Sequence, residues 1–322
     1  DVYGRRKILD VHLRDKFVEQ NTDLEEIASL TSGFSGADIE NMANEAAILA
    51  LRQNKTLINS TNLIDAFEKI TIGLPRLSKK VLKEEEELVA YHEAGHTISA
   101  LLFRDIFDVR KVTINANTNG AGGFTLFTPK ELYSSYATKK YLLANLIITM
   151  GGRAAEEIVM GDITSGASGD IRMVTKTARH MVCDWGMTEL GPVAYGENKD
   201  HVFLGQEVAR SQNYSEQTAQ KIDNAIHDIV EKEYKRSLEI LNEHRKALDV
   251  CAEALLEHET IDGKHVHEIL EFGEIRSPIV KREPAEPEPE AEEDAEEPKK
   301  TTKKDGDKGG LAGEEAPAGA PA

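Results

Sequence analysis

The run His92-Glu93-Ala94-Gly95-His96, set in an apolar stretch, constrains this chain more than any other feature. On a helix, histidines at i and i+4 stack on one face about one turn apart, where both imidazoles can bind the same ion. Glu93 sits beside the first of them and leans toward the ion without ligating it, which leaves it free to accept a proton from water. Zn²⁺ suits imidazole, and water bound to it ionises near pH ~7. Tyr91, Ala94, Ile98, Leu101 and Leu102 make the surrounding helix, residues 84–104, a mostly buried one. Two imidazoles and a carboxylate in a core need partners, and a metal supplies one.

The 322 residues are enough for two domains of ordinary size. A net charge of −18 argues against a nucleic-acid surface, so no nucleic-acid partner is expected. Cys183 and Cys251 are the only cysteines, which rules out a disulfide framework and a cysteine-based zinc site and makes reducing conditions the default. No segment reaches the ~18 apolar residues of a membrane-spanning helix. The best candidate, residues 141–150, is too short and contains Asn145. The first residues are charged and carry no signal-peptide pattern.

The pattern along the chain predicts a mainly α fold. Residues 1–75 read as a bundle of four short helices. The first covers 5–13, and Asp23 opens a second that Gly33 stops. Ser35 caps a third, whose Ile39, Met42, Ala43, Ala46, Ala47 and Ala50 keep the 3.6-residue period, and Ser60 or Thr61 opens a fourth. Residues 73–80, with Pro75, read as a linker into a second, mostly helical domain over 76–275. After the histidine helix, 109–116 and 122–128 read as two strands joined by an Asn/Gly-rich turn. A long helix over 138–160 is interrupted by Gly151-Gly152, and the loop 161–168 leads to a third helix capped by Ser168 and ending at Gly186. Residues 215–258 form a long amphipathic pattern broken near His244, and 263–271 close the domain. Residues 278–322 are rich in Pro, Glu, Ala and Lys, cannot offset their ordering entropy by burial, and read as a disordered acidic tail.

Two histidines do not complete a catalytic zinc site, which ordinarily has three protein ligands and an open position. The downstream candidates are Glu156, Glu157, Asp162, Asp170 and His180. A helical glutamate is usually a solvated face or an ion-pair partner, and a loop holds Asp162 less firmly. Asp170 falls in the first turn of a helix, where the dipole favours the ionised carboxylate, although an acidic residue there is also ordinary capping chemistry. Spacing alone puts Asp170 only modestly ahead of Glu157.

Tyr91-His92-Glu93-Ala94-Gly95-His96, Gly151-Gly152-Arg153-Ala154-Ala155-Glu156-Glu157, Thr164-Ser165-Gly166-Ala167-Ser168-Gly169-Asp170 and Leu190-Gly191-Pro192 follow one another in an order that resembles the peptidase domain of the FtsH family of membrane-bound, ATP-dependent zinc proteases. Gly33-Phe34-Ser35-Gly36-Ala37-Asp38 and Asn44-Glu45-Ala46-Ala47 are similar to the lid of that family's AAA ATPase module. The resemblance covers about residues 1–275. It implies one Zn²⁺ per chain, with His92, His96 and Asp170 as ligands and Glu93 as catalytic base. It implies nucleotide contact by Gly36 and Ala37 only within a full ATPase module, and a homo-hexamer that degrades unfolded polypeptides and membrane proteins at the cytoplasmic face of the inner membrane. No GxxxxGK[ST] loop occurs, so ATP and Mg²⁺ are expected only with an upstream ATPase core. The chain departs from the family at Gly169, where Asn is usual, and over 115–123, where an Asn/Gly-rich stretch replaces Pro-Arg-Gly.

Strand 124–127 could pair with an extended substrate by strand addition, or serve only as a core strand. A non-catalytic assembly module is the rival reading of the chain, and the intact Glu93 argues against it. A stand-alone zinc protease is another, and the lid-like helices argue against that.

Overall fold

The computed structural model describes residues 1–73, 82–118, 120–130, 136–195 and 214–279. All of them belong to one compact unit, Asp1–Glu283. The expected linker and tail therefore fall, apart from Gly73, Pro278 and Ile279, outside the described residues.

Four helices open the chain: α1 Val2–Leu13, α2 Leu24–Leu30, α3 Gly36–Arg52 and α4 Ser60–Thr71. Their starts follow from side-chain caps. Asp23 accepts from the N–H groups of Glu25 and Glu26, and Ser35 forms a capping box with Asp38. Asn59, one residue earlier than expected, forms another with Asn62. Each such cap is worth about 1 kcal/mol. Leu9, Ile27, Ile39, Met42, Leu63 and Phe67 fill the bundle's core.

The second region is built on α5, Lys83–Leu102. Its buried Ala90, Ala94, Ile98 and Leu101 keep one helical face against the main core. Burial of each of the two large side chains contributes roughly 1.5–3 kcal/mol. Strands β1 (Phe107–Thr113) and β2 (Phe124–Pro129) follow, each shifted by about two residues from its expected span. A third strand, β3 (Thr260–Asp262), was not expected, because three residues carry no readable alternation. The sheet is antiparallel in the order β2-β1-β3. Val109 pairs with Phe127 and Lys111 with Leu126, so Arg110 is an extra residue, a bulge. A bulge turns two consecutive side chains toward one face. Here Arg110 and Lys111 both face the helical bundle, where Arg110 meets Glu26 at 3.4 Å and Lys111 meets Glu68 at 2.6 Å.

Helix α6, Lys139–Met160, runs unbroken through Gly151-Gly152, which corrects the expected interruption. Helix propensity disfavours glycine there, but close packing against α5 requires it. Helix α7, Ser168–Cys183, begins at the expected cap itself, so Ala167 and not Ser168 is its N-cap, and it stops three residues short of Gly186. The long amphipathic pattern is two helices, α8 Glu216–Glu243 and α9 Arg245–His258, which meet at His244 as expected. Helix α10, Gly263–Phe272, follows β3. Cys183 and Cys251 are free and buried. Among the described residues no helix is long and apolar enough to cross a membrane.

Candidate metal centre

The site forms where α6 crosses α5. The two backbones touch at Gly95 and Gly151, since a Cβ on Gly95 would lie 2.3 Å from the Gly151 carbonyl oxygen. This contact brings one stripe of α6, residues 148, 152 and 156 at i, i+4 and i+8, against His92 and His96. His96 Nδ1 lies 2.8 Å from the Ile148 carbonyl oxygen, and His92 Nδ1 lies 2.6 Å from Glu156 Oε1. Between those two acceptors Gly152 leaves room for the rings. A Cβ there would sit 2.5 Å from His92 Nε2 and 2.6 Å from His96 Nε2.

An oxygen acceptor at each Nδ1 favours the proton on that nitrogen, so each ring in its neutral form turns a lone pair out at Nε2. The two Nε2 atoms face each other 3.0 Å apart, an arrangement held together by a cation between them, whether a shared proton or a metal ion. Asp170, in the first turn of α7, brings a carboxylate to the same point. Its Oδ2 is 3.3 Å from His92 Nε2 and 3.7 Å from His96 Nε2. Donors held about 2.0–2.1 Å from a tetrahedral ion stand about 3.3 Å from one another, so the three separations suit Zn²⁺. Their ligand atoms all lie within 4.8 Å, and this is the one such cluster among the described residues.

The electrostatics agree. Burial opposes a charge on His92, but the hydrogen bonds to Asp170 and Glu156 outweigh it and raise its pKa. Burial and the neighbouring His92 lower that of His96. The pair therefore favours a single positive charge, and the carboxylates around it balance more than that. Glu156 is itself buried, yet bonds from His92 and from the Thr164 N–H, at 2.9 Å, keep it ionised with a lowered pKa. An anionic donor set around two imidazoles is the chemistry of a divalent ion.

Glu93 lies beside the cluster and is 6 % exposed. Burial pushes its pKa up to about 7. Thr125 of β2 donates to its Oε2 at 2.8 Å, and Gly123 closes over its stem, where a Cβ would come within 3.0 Å of Glu93 Cγ. The Asn/Gly-rich stretch before β2 thus ends directly on this carboxylate.

The other sequence candidates go elsewhere. Glu156 is a buried partner of His92, not a solvated face. Glu157 accepts from the Tyr234 hydroxyl, and exposed Asp162 accepts its nearest bond from the Ile163 N–H. His180 pairs with Asp184 and stacks on Trp185. Gly36 and Ala37 lie exposed in the first turn of α3, within the helical bundle. Sequence reasoning missed Thr125 and the part played by Glu156. The i+4 step from Gly152 to Glu156 was the available signal for the second.

Residues 79–269 match peptidase family M41, and residues 21–65 match the AAA+ lid domain. The chain belongs to peptidase family M41. Relatives named ATP-dependent zinc metalloprotease FtsH include that of Veillonella parvula, 45% identical over 279 residues, or 86% of this chain and 43% of the relative. That of Thermotoga maritima is 43% identical over 272 residues, covering 84% and 44% of the two chains. FtsH 3 of Symbiobacterium thermophilum is 43% identical over 289 residues, or 89% and 46%. The chain thus spans less than half the length of these M41 relatives. The M41 segment contains the whole histidine–aspartate cluster, Glu93 and Thr125.

Proposed function

We propose that this chain is a zinc endopeptidase in which His92, His96 and Asp170 hold the ion and Glu93 is the catalytic base. The observation that carries this reading is the convergence of His92 Nε2, His96 Nε2 and an Asp170 carboxylate oxygen on one point, with the buried Glu93 carboxylate beside it. Bound there, zinc supplies Lewis acidity to a peptide carbonyl and lowers the pKa of water. The chain's own residues do the rest. Glu156 and the Ile148 carbonyl hold the imidazoles in one tautomer and orientation. Asp170 offsets part of the ion's charge from the helix terminus that favours its ionised form. Glu93 takes a proton from the attacking water and returns it to the leaving amine.

The FtsH relatives are named as ATP-dependent, and the lid match fits the same arrangement here. In this reading the chain works beside an AAA ATPase core, where Gly36 and Ala37 contact nucleotide and Mg²⁺-ATP drives delivery. It assembles as a homo-hexamer at the cytoplasmic face of the inner membrane, and it degrades unfolded polypeptides and membrane proteins. Residues 1–75 form the lid, 76–275 the peptidase domain and 278–322 a tail outside both. The test is Glu93→Gln, which keeps size but cannot accept the proton. Hydrolysis of an unfolded protein such as casein should fall at least ~10²-fold while about one zinc per chain is retained. Turnover at the unsubstituted rate would overturn the assignment.

A further inference from the structure

Strand β2 touches two things that the proposed chemistry leaves unconnected. On one face, the Thr125 hydroxyl lies 2.8 Å from Glu93 Oε2. Proton accounting fixes the direction of that bond. Thr97 Oγ1 spends its single proton on the Glu93 carbonyl oxygen at 2.7 Å, so the Thr125 proton is the one available to the carboxylate. On the opposite face, the next residue, Leu126, packs against the apolar core of the lid bundle. Its cross-strand neighbour is Lys111, which the bulge at Arg110 turns toward the lid. The Lys111–Glu68 pair is 2.6 Å long with both side chains about 15 % exposed, at 15% and 14%. Successive residues of a strand point to opposite faces, so a shift of the strand that moves Leu126 also moves Thr125.

We propose that β2 is a relay: Thr125 is a positioning residue for Glu93, and the seat of the lid on Leu126 and Lys111 sets where Thr125 stands. The inference rests on Glu93 being the base. A lid packed on the back of the sheet holds the hydroxyl on the carboxylate, and the carboxylate keeps one rotamer beside the metal cluster. A lid displaced from the sheet frees the strand, and Glu93 loses its one side-chain donor among the described residues. Gly123 makes the carboxylate sensitive to small shifts, because its backbone passes so near the Glu93 stem that a Cβ there would stand 3.0 Å from Cγ. The bond at stake is one to a charged group, the stronger class of hydrogen bond.

The test uses the full chain and a short quenched-fluorescence peptide, with zinc content measured alongside. Thr125→Val should lower kcat about 10- to 100-fold with KM nearly unchanged, and Thr125→Ser, which keeps the hydroxyl, should restore most of it. Glu68→Lys, which sets like charges against Lys111, should lower kcat about 5-fold or more, and the charge-reversed pair Glu68→Lys with Lys111→Glu should recover it. Zinc content should be unchanged throughout. Amide exchange supplies a readout free of activity: residues 123–127 should exchange faster in Glu68→Lys and return to normal in the reversed pair. Unsubstituted protein with no peptidase activity would defeat the proposed function, whereas the exchange result still decides the relay. Thr125→Val at normal kcat in active protein, or unchanged exchange of 123–127 in Glu68→Lys, would overturn it.

Discussion

Gly152→Ala adds one methyl group to the point where the imidazoles need space. The new Cβ would stand 2.5 Å from His92 Nε2 and 2.6 Å from His96 Nε2, against an ordinary carbon–nitrogen contact of about 3.4 Å. Something must therefore give by roughly 0.9 Å. The rings cannot simply swing away, because Ile148 and Glu156 hold their Nδ1 atoms from the same helix face. Helix α6 cannot back off either without opening the Gly95–Gly151 crossing. Overpacking of this kind costs about 1–3 kcal/mol, and replacing glycine by alanine inside a helix returns about 1 kcal/mol. Apo stability should therefore fall only slightly.

Metal binding should suffer much more. A ligand displaced by roughly 0.9 Å cannot keep a bond about 2 Å long, and disturbing outer partners alone costs 10–100-fold in affinity. We expect zinc affinity to drop at least about 100-fold, equivalent to losing about 2.7 kcal/mol of metal-linked stabilisation. Competition with a chromophoric chelator reads the affinity, and thermal melts with and without chelator read the linkage. Gly169→Ala is the control: it lies beside Asp170 in the first turn of α7, but its Cβ would meet nothing within 4 Å. It should bind zinc normally. Gly152→Ala protein with zinc affinity within about 3-fold of the unsubstituted chain would refute the argument.

Glu156→Gln keeps the shape of the His92 partner but removes its charge, so zinc affinity measured by the same competition should fall about 10–100-fold. An unchanged affinity would mean that the carboxylate only fills space. Within α10, Glu268 accepts from the N–H groups of Ser277 and Arg276 at 2.9 and 2.8 Å, and these bonds lower its pKa from 4.5. A depressed folded pKa means the tether is fully present above pH 4.5 and is lost as pH falls through the lower folded value. Amide exchange of Arg276 and Ser277 should accelerate below that point, and unchanged protection down to pH ~3 would contradict it.

The site was legible to the extent that its chemistry is local in sequence. His92, Glu93 and His96 declare themselves through one helical turn, and their burial follows from the apolar residues around them. The four N-terminal helices were readable because Asp23, Ser35 and their neighbours carry cap chemistry that acts within three residues. Spacing put Asp170 only modestly ahead of Glu157, since what distinguishes them is the packing of a helix that starts more than seventy residues after His96 in sequence, not periodicity. Gly151-Gly152 misled for the same reason. Local propensity reads two glycines as a break, whereas the fold uses the missing side chains to let α5 and α6 touch and to admit two imidazoles. Read in that light, the stripe 148-152-156 on α6 is the complement of 92-96 on α5. One helix supplies the rings, and the other supplies an acceptor, a gap and a second acceptor at the same four-residue step. Thr125 had no comparable signal, because its partner is reached through a strand whose register depends on the bulge at Arg110. The features invisible in the sequence are thus those that orient the proposed reacting groups, and the features visible in it are those groups themselves.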